Sequence, residues 1–252
     1  MAASGWEEGN REMKLARAQA PSTAKTALSV AVTGWAAWTG GAWLGAEPAA
    51  APTMLRRRVS PLGQQALRAA WSQEASASAR LVFSSRHGEF ARTLSIMDEL
   101  AAGHEVSPAD FTLSVHHALA GLLSIARGNR LGHTAIAAGD ETLFCALLEA
   151  AACLAESPAE PVVLVHYDEP LPAPFDHFSP ADEETVALAL TLAPGDADGL
   201  RLRLSSFPLA EGAMVSPNPG GAFLDFLTGA APEVTIHGDR LTWRIERLDA
   251  AA

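Results

Sequence analysis

Between residues 28 and 192, short apolar runs alternate with stretches whose apolar positions recur every three to four residues. Leu28–Thr33 (LSVAVT) is the first run, and it leads into a glycine-rich stretch holding Trp35, Trp38 and Trp43. This reads as a buried strand followed by an irregular loop, whose tryptophans either line a ligand site or pack the loop against the core. After the Ala/Pro-rich segment Ala46–Pro52, Leu62, Ala66, Leu67, Ala70 and Trp71 fall at helical spacing. Ser60-Pro61 supplies the cap and first-turn proline for that helix. Arg80–Ser84 (RLVFS) reads as a second buried strand, and Phe90, Leu94, Met97 and Leu100 form the apolar stripe of a helix from about Glu89 to Leu100.

Ser107-Pro108 opens a further helical region through Val115, Leu119, Leu122, Leu123 and Ala126, closed by Gly128-Asn129. A strand over His133–Ala138 follows, then a helix over Glu141–Ala155. Pro161–His166 (PVVLVH) is apolar without a break, which predicts a strand covered on both faces. Past the loop Asp168–Pro180 the pattern gives strands at Thr185–Leu192 and Leu200–Ser205 and a short helix at Ala222–Leu227. A hairpin at Val234–Arg247, turning at Gly238-Asp239, completes the series. No internal repeat is visible. The order β-α-β-α-α-β-α-β-β predicts one layered α/β domain over 26–252, preceded by a flexible leader at 1–25.

Composition narrows the partners. With 18 Lys and Arg against 29 Asp and Glu the net charge is −11, which disfavours nucleic acid. The first eighty residues nevertheless hold nine basic and five acidic side chains, which leaves room for a basic face near the start. Thr26–Ala46 carries no charge, but four glycines interrupt it and it is poor in Leu and Ile, so membrane insertion is not expected. The two cysteines, Cys145 and Cys153, would lie roughly 12 Å apart along one helix, too far for a disulfide. Small buried thiols in a cytoplasmic protein are the natural reading.

Several stretches, taken in order, resemble the N-terminal half of a β-ketoacyl synthase. SVAVTGWAAWTG is similar to that family's opening strand and loop, RRRVSPLGQQALRAA to its arginine-serine helix start, and VFSSRHGEF to the strand and glycine turn before the next helix. SPADFTLSVHHALAGLLSIARG is the most specific piece, and VLVHYDEPLP completes the pattern. The likeness covers about residues 28 to 192. Residues 193–252, ending in LTWRIER, match only short, divergent members of the family, which include chain-length factors of aryl polyene biosynthesis. The resemblance implies a thiolase-like layered fold with a small β-rich C-terminal extension.

In that family the strand at 133–138 ends on an elbow that presents a catalytic cysteine, activated by a helix N-terminus. Here the elbow reads Ala137-Ala138-Gly139-Asp140-Glu141. Ungapped alignment puts Asp140 at the nucleophile, and a shift of one residue puts Gly139 or Glu141 there. None forms an acyl thioester. Asp140 is either a helix cap or a group that contacts a partner's site or a carrier-linked chain. The family's second half, with its catalytic histidines, has no counterpart in the sequence. His116 and His117 are adjacent and so diverge on a helix, and no histidine spacing resembles a zinc site. No metal or cofactor is expected.

The resemblance therefore implies a catalytically silent subunit that forms a heterodimer with a complete ketosynthase, walls its acyl tunnel and helps set product length. The segment expected to gate the tunnel is 110–117, with Asp110, Phe111, Ser114, Val115, His116 and His117 at the tunnel or the partner interface. A stand-alone module binding an acyl group or an acyl carrier protein is the alternative. Arg56, Arg57 and Arg58 motivate it, since carrier proteins are acidic, although such a run is also an ordinary solvated helix start. A condensing enzyme in its own right is a third reading, using some residue other than cysteine.

Overall fold

Among the described residues, nine strands join in one sheet in the order β4-β3-β5-β6-β1-β7-β9-β8, with β2 paired to β1. The computed structural model describes residues 26–180 and 183–248, and the expected leader at 1–25 lies outside them. The strands are β1 (Thr26–Thr39), β2 (Ala42–Leu44), β3 (Arg80–Ser84), β4 (His133–Ile136), β5 (Val162–Asp168), β6 (Val186–Pro194), β7 (Leu200–Pro208), β8 (Glu233–His237) and β9 (Leu241–Arg247). β3 runs parallel to both β4 and β5, and the remaining pairs are antiparallel. The helices are α1 (Thr53–Arg56), α2 (Pro61–Ser72), α3 (Phe90–Ala101), α4 (Pro108–Ser114), α5 (Ala118–Arg127), α6 (Thr142–Glu156) and α7 (Pro219–Thr228). No described helix is long and apolar enough to cross a membrane.

The period of two along each strand sorts side chains onto two cores. On β5, Val162 and Leu164 join the cluster under α6 and α7, while Val163, Val165 and Tyr167 join the cluster under α2 and α5. Every residue of β5 is buried, as the unbroken run PVVLVH predicts. The layered α/β arrangement expected from the order of elements is thus the one that forms. Residues 193–248 belong to the same sheet, because β7 pairs directly with β1 and carries β9 and β8 outward.

Two expectations need correction. The tryptophan-rich stretch is not an irregular loop: β1 continues to Thr39 and turns through Gly40-Gly41 into β2, with Trp38 opposite Trp43. The sequence obscures this because a register shift between Val32 and Gly34 breaks the alternation midway along the strand. Trp38 and Trp43 pack against the core, which supports the packing reading for these two, while Trp35 is exposed.

The helical region from Ser107 to Ala126 is likewise not continuous. It breaks at Val115–His117, where Val115 adopts an extended backbone between α4 and α5. Val and His are mediocre helix formers, and the break lets the two histidines reach different neighbours. The apolar stripe of α3 does not reach either core: neither α3 nor α4 has a buried residue, and the two pack mainly on each other.

Candidate functional site

The elbow forms where β4 ends and α6 begins, and backbone geometry fixes its shape first. Gly139 has φ of +60°, a conformation glycine adopts without penalty. Thr142 closes the turn: its hydroxyl donates to the Gly139 carbonyl at 2.6 Å and accepts from the Ala138 amide at 2.9 Å. Glu141 occupies the capping position of α6 but makes no cap with its side chain. Instead its carboxylate, only 1% exposed, accepts the backbone amides of Arg240 and Leu241 at 2.8 and 2.7 Å, and Arg240 Nη2 lies 3.2 Å from its second oxygen. The elbow is therefore anchored to the β8–β9 turn. Gly238 sits so close that a Cβ there would stand 2.4 Å from Glu141 Cγ.

Asp140 does not cap the helix either. Its Oδ1 receives Arg86 Nη1 at 3.0 Å, and the same guanidinium meets Asp168 Oδ2 at 3.4 Å and Glu183. The helix-cap reading of Asp140 is thus replaced by an ionic tie that joins the ends of three strands and the segment before β6. Asp168 also takes the Ser85 hydroxyl at 3.0 Å and the Arg86 amide at 2.8 Å. One cation among three carboxylates leaves the cluster with a formal charge of −2. These groups line a small cleft together with Thr142, Asn218 and Gly220.

Ser84, His166 and Asp168 form a hydroxyl–imidazole–carboxylate chain, with His166 Nδ1 3.1 Å from Ser84 Oγ and Nε2 3.5 Å from Asp168 Oδ2. The chain resembles a nucleophile-activating triad in composition only. Ser84 is 1% exposed and lies inside the sheet, so no substrate reaches its oxygen. Burial pushes the His166 imidazole below its ordinary value, against the pull of Asp168. His166 is therefore a neutral tie between β3 and β5.

Neither thiol stands on the elbow. Cys145 lies on α6, partly covered, and burial followed by the nearby Glu141 charge pushes its thiol up, away from the reactive thiolate. Cys153 is buried, and both are free cysteines, as their spacing predicts.

The 110–117 segment is placed beside the elbow cluster but not within it. His116 packs over the Arg86–Gly88 turn, its ring atoms within 3.3 Å of where a Cβ on Gly88 would stand. Asp110 pairs with Arg92, and Ser114 donates to the Phe111 carbonyl at 2.9 Å. Phe111 and Val115 are left 63% and 46% exposed. His117 turns the other way and meets His133 at the start of β4. Arg56, Arg57 and Arg58 are all exposed around the end of α1, and none forms an ion pair among the described residues.

Arg86, Asp168, Glu183 and His166 were not foreseen. A faint signal exists: His166 and Asp168 stand two apart on a strand and so share a face, and Ser84 is in register with His166.

A family model for the β-ketoacyl synthase N-terminal domain matches residues 35–245. Among solved structures, a chain of the ketosynthase ApeO in complex with its chain length factor ApeC from Xenorhabdus doucetiae superposes with a TM-score of 0.74 at 24% identity. That match covers 87% of this chain and 100% of the other. A β-ketoacyl synthase from Burkholderia phymatum STM815 gives 0.55 at 14% identity, over 75% and 66%. The complex AntDE:AntF, a type II PKS acyl-carrier protein with its ketosynthase bound to the hexaketide, gives 0.51 at 16% identity, over 67% and 63%. This chain thus spans about two thirds of the length of the latter two. No curated protein matches the sequence. The expected thiolase-like fold is the one these likenesses share.

Proposed function

This chain belongs to the family of β-ketoacyl synthase N-terminal domains, and from that premise we propose that it is a catalytically silent subunit in aryl-polyene-type biosynthesis. It pairs with a complete ketosynthase in the cytoplasm, lines part of that partner's acyl tunnel and helps set product length. The observation that carries this reading is the elbow, where a carboxylate engaged by Arg86 stands in the region that holds a thiolate in the family. A ketosynthase needs its thiolate to take an acyl group from a thioester and hold it for condensation. Attack by Asp140 would give a mixed anhydride, and the surrounding carboxylates oppose any anionic nucleophile placed there.

The remaining surface suits a wall and an interface. β4 is an edge strand whose outer side is unpaired among the described residues, and an exposed edge is a template for a second chain. Phe111 and Val115 present apolar surface on the neighbouring α4 segment, where bulky side chains could stop a growing chain. The ketosynthase–chain length factor complex that this chain resembles in fold supports the same assembly.

The test is reconstitution. The isolated chain should show no condensation, whereas co-expression with a complete ketosynthase and an acyl carrier protein should give a heterodimer making products of defined length. Condensing activity in the isolated chain, or absence of any stable complex with the ketosynthase, would sink the proposal. Asp140→Cys should remain unacylated by an acyl donor in intact-mass measurements, because Asp168 and Glu183 remain beside the new thiol. A second reading, direct docking of an acyl carrier protein, is favoured by the three exposed arginines at 56–58. Replacing all three with alanine should then weaken carrier binding; unchanged binding removes that reading.

A further inference from the structure

His117 and His133 are sixteen residues apart in sequence, and nothing in their spacing suggests a shared task. The fold brings their Nδ1 atoms to 3.3 Å, with ring centroids 5.3 Å apart and the rings inclined at 51°. Both side chains are exposed. Their backbones are fixed independently: His117 stands at the N-terminal end of α5, and His133 is held in register with Leu81 across the β3–β4 pair. Two nitrogen lone pairs are therefore delivered to one point by rigid elements, which is the preorganisation a ligand site requires.

From these positions we propose that His117 and His133 together form a surface site for one divalent transition metal of the zinc class. The separation is the decisive quantity. Two nitrogens bound at about 2.0–2.1 Å to a tetrahedral ion lie about 3.3–3.4 Å apart, which matches the observed distance. The same distance also suits a single N–H···N hydrogen bond between neutral rings, and both rings must be neutral at the ligating nitrogen for metal to bind. Moving that shared proton to Nε2 of the same exposed ring is a tautomer change and leaves two lone pairs for the ion.

Imidazole ligands select zinc, nickel and copper over magnesium and calcium. No group of three or more metal-ligating side chains occurs among the described residues, so the ion's remaining positions are open to water. Such a site binds more weakly than a closed structural centre. His116, although adjacent in sequence, is directed onto Gly88 and contributes nothing. The site lies at the beginning of β4, at the opposite end of that strand from the elbow, and its metal binding does not depend on the function proposed above.

The experiment is a calorimetric titration of zinc into the full-length, untagged chain after chelator treatment. One zinc per chain is expected. His117→Ala and His133→Ala should each weaken binding at least tenfold, and the double variant should be little worse than either single one, since both ligands serve one ion. His104→Ala removes another exposed histidine, paired with Glu99 at 2.7 Å, and should leave affinity unchanged. Copper(II) bound in place of zinc should show two nitrogen donors in its EPR spectrum. Far-UV circular dichroism of the variants confirms that they remain folded. No zinc binding, stoichiometric binding that survives the double substitution, or loss that follows His104→Ala would each overturn the assignment.

Discussion

The elbow and the 108–117 segment are close in space and opposite in construction. At the elbow the buried charges are committed: Arg86 joins three carboxylates, and Glu141 accepts two backbone amides from a distant turn. The neighbouring α4 has no buried residue, and Phe111 on it and Val115 just past it stand partly in solvent. A region whose partners are all within the chain gains rigidity; one whose apolar surface is unmatched is available to something else. The elbow's side chains are thus held by one another, and the adjacent segment presents free surface.

That contrast can be broken most severely at Arg86. Its side chain is 13% exposed, and Arg86→Ala leaves Asp168 and Glu183 buried without their cation. A loss of about 3–5 kcal/mol is expected on the pattern of broken buried ion pairs, measurable as a lower midpoint in urea unfolding. Next comes the anchor to the β8–β9 turn. Glu141→Ala leaves the Arg240 and Leu241 amides without their acceptor, at an expected cost of about 1–3 kcal/mol. Gly238→Ala should also destabilise, through its clash with Glu141 Cγ, so the same urea measurement probes the contact from both sides.

Acid should reveal the rigid region too. Burial holds folded His166 below its ordinary value, while the unfolded chain binds that proton near about pH 6.5. Stability is therefore full above about pH 6.5 and falls as the pH drops below it, because the unfolded state then takes up more protons. The slope from one such group is at most about 1.4 kcal/mol per pH unit. His87 is lowered by burial as well, so His166→Asn should flatten the decline only in part. The smallest effect belongs to the other region: Phe111→Ser should change stability by less than about 0.5 kcal/mol, yet shift the product length made by a reconstituted ketosynthase pair. An unfolding midpoint that falls as far as in the elbow variants would erase the contrast.

Most of the scaffold is legible in the sequence because periodicity reports burial directly. Arg80–Ser84 is a strand with the predicted bounds, Ser60 caps α2 by accepting the Gly63 amide at 2.9 Å, and the C-terminal hairpin turns through Gly238-Asp239. Periodicity fails where an element changes phase, as at the bulge before Gly34, and where a helix breaks for the sake of neighbours that lie far away in sequence, as at His116. The candidate site is harder to read. The elbow itself is visible as the residues after β4, but Arg86 follows β3, Asp168 ends β5 and Glu183 precedes β6, and only the sheet order makes them neighbours.

The tie between Glu141 and the β8–β9 turn also has a consequence in time. Its acceptor and donors are 99 and 100 residues apart, so a ribosome that has delivered the elbow must continue for about 5–20 s before Arg240 and Leu241 emerge. Until then Glu141 has no intramolecular amides to receive it, and the turn that carries Asp140 cannot settle. The geometry of the elbow is completed only when the distant hairpin docks, so a nascent chain interrupted before residue 240 carries an unfinished elbow however well its first strands have paired.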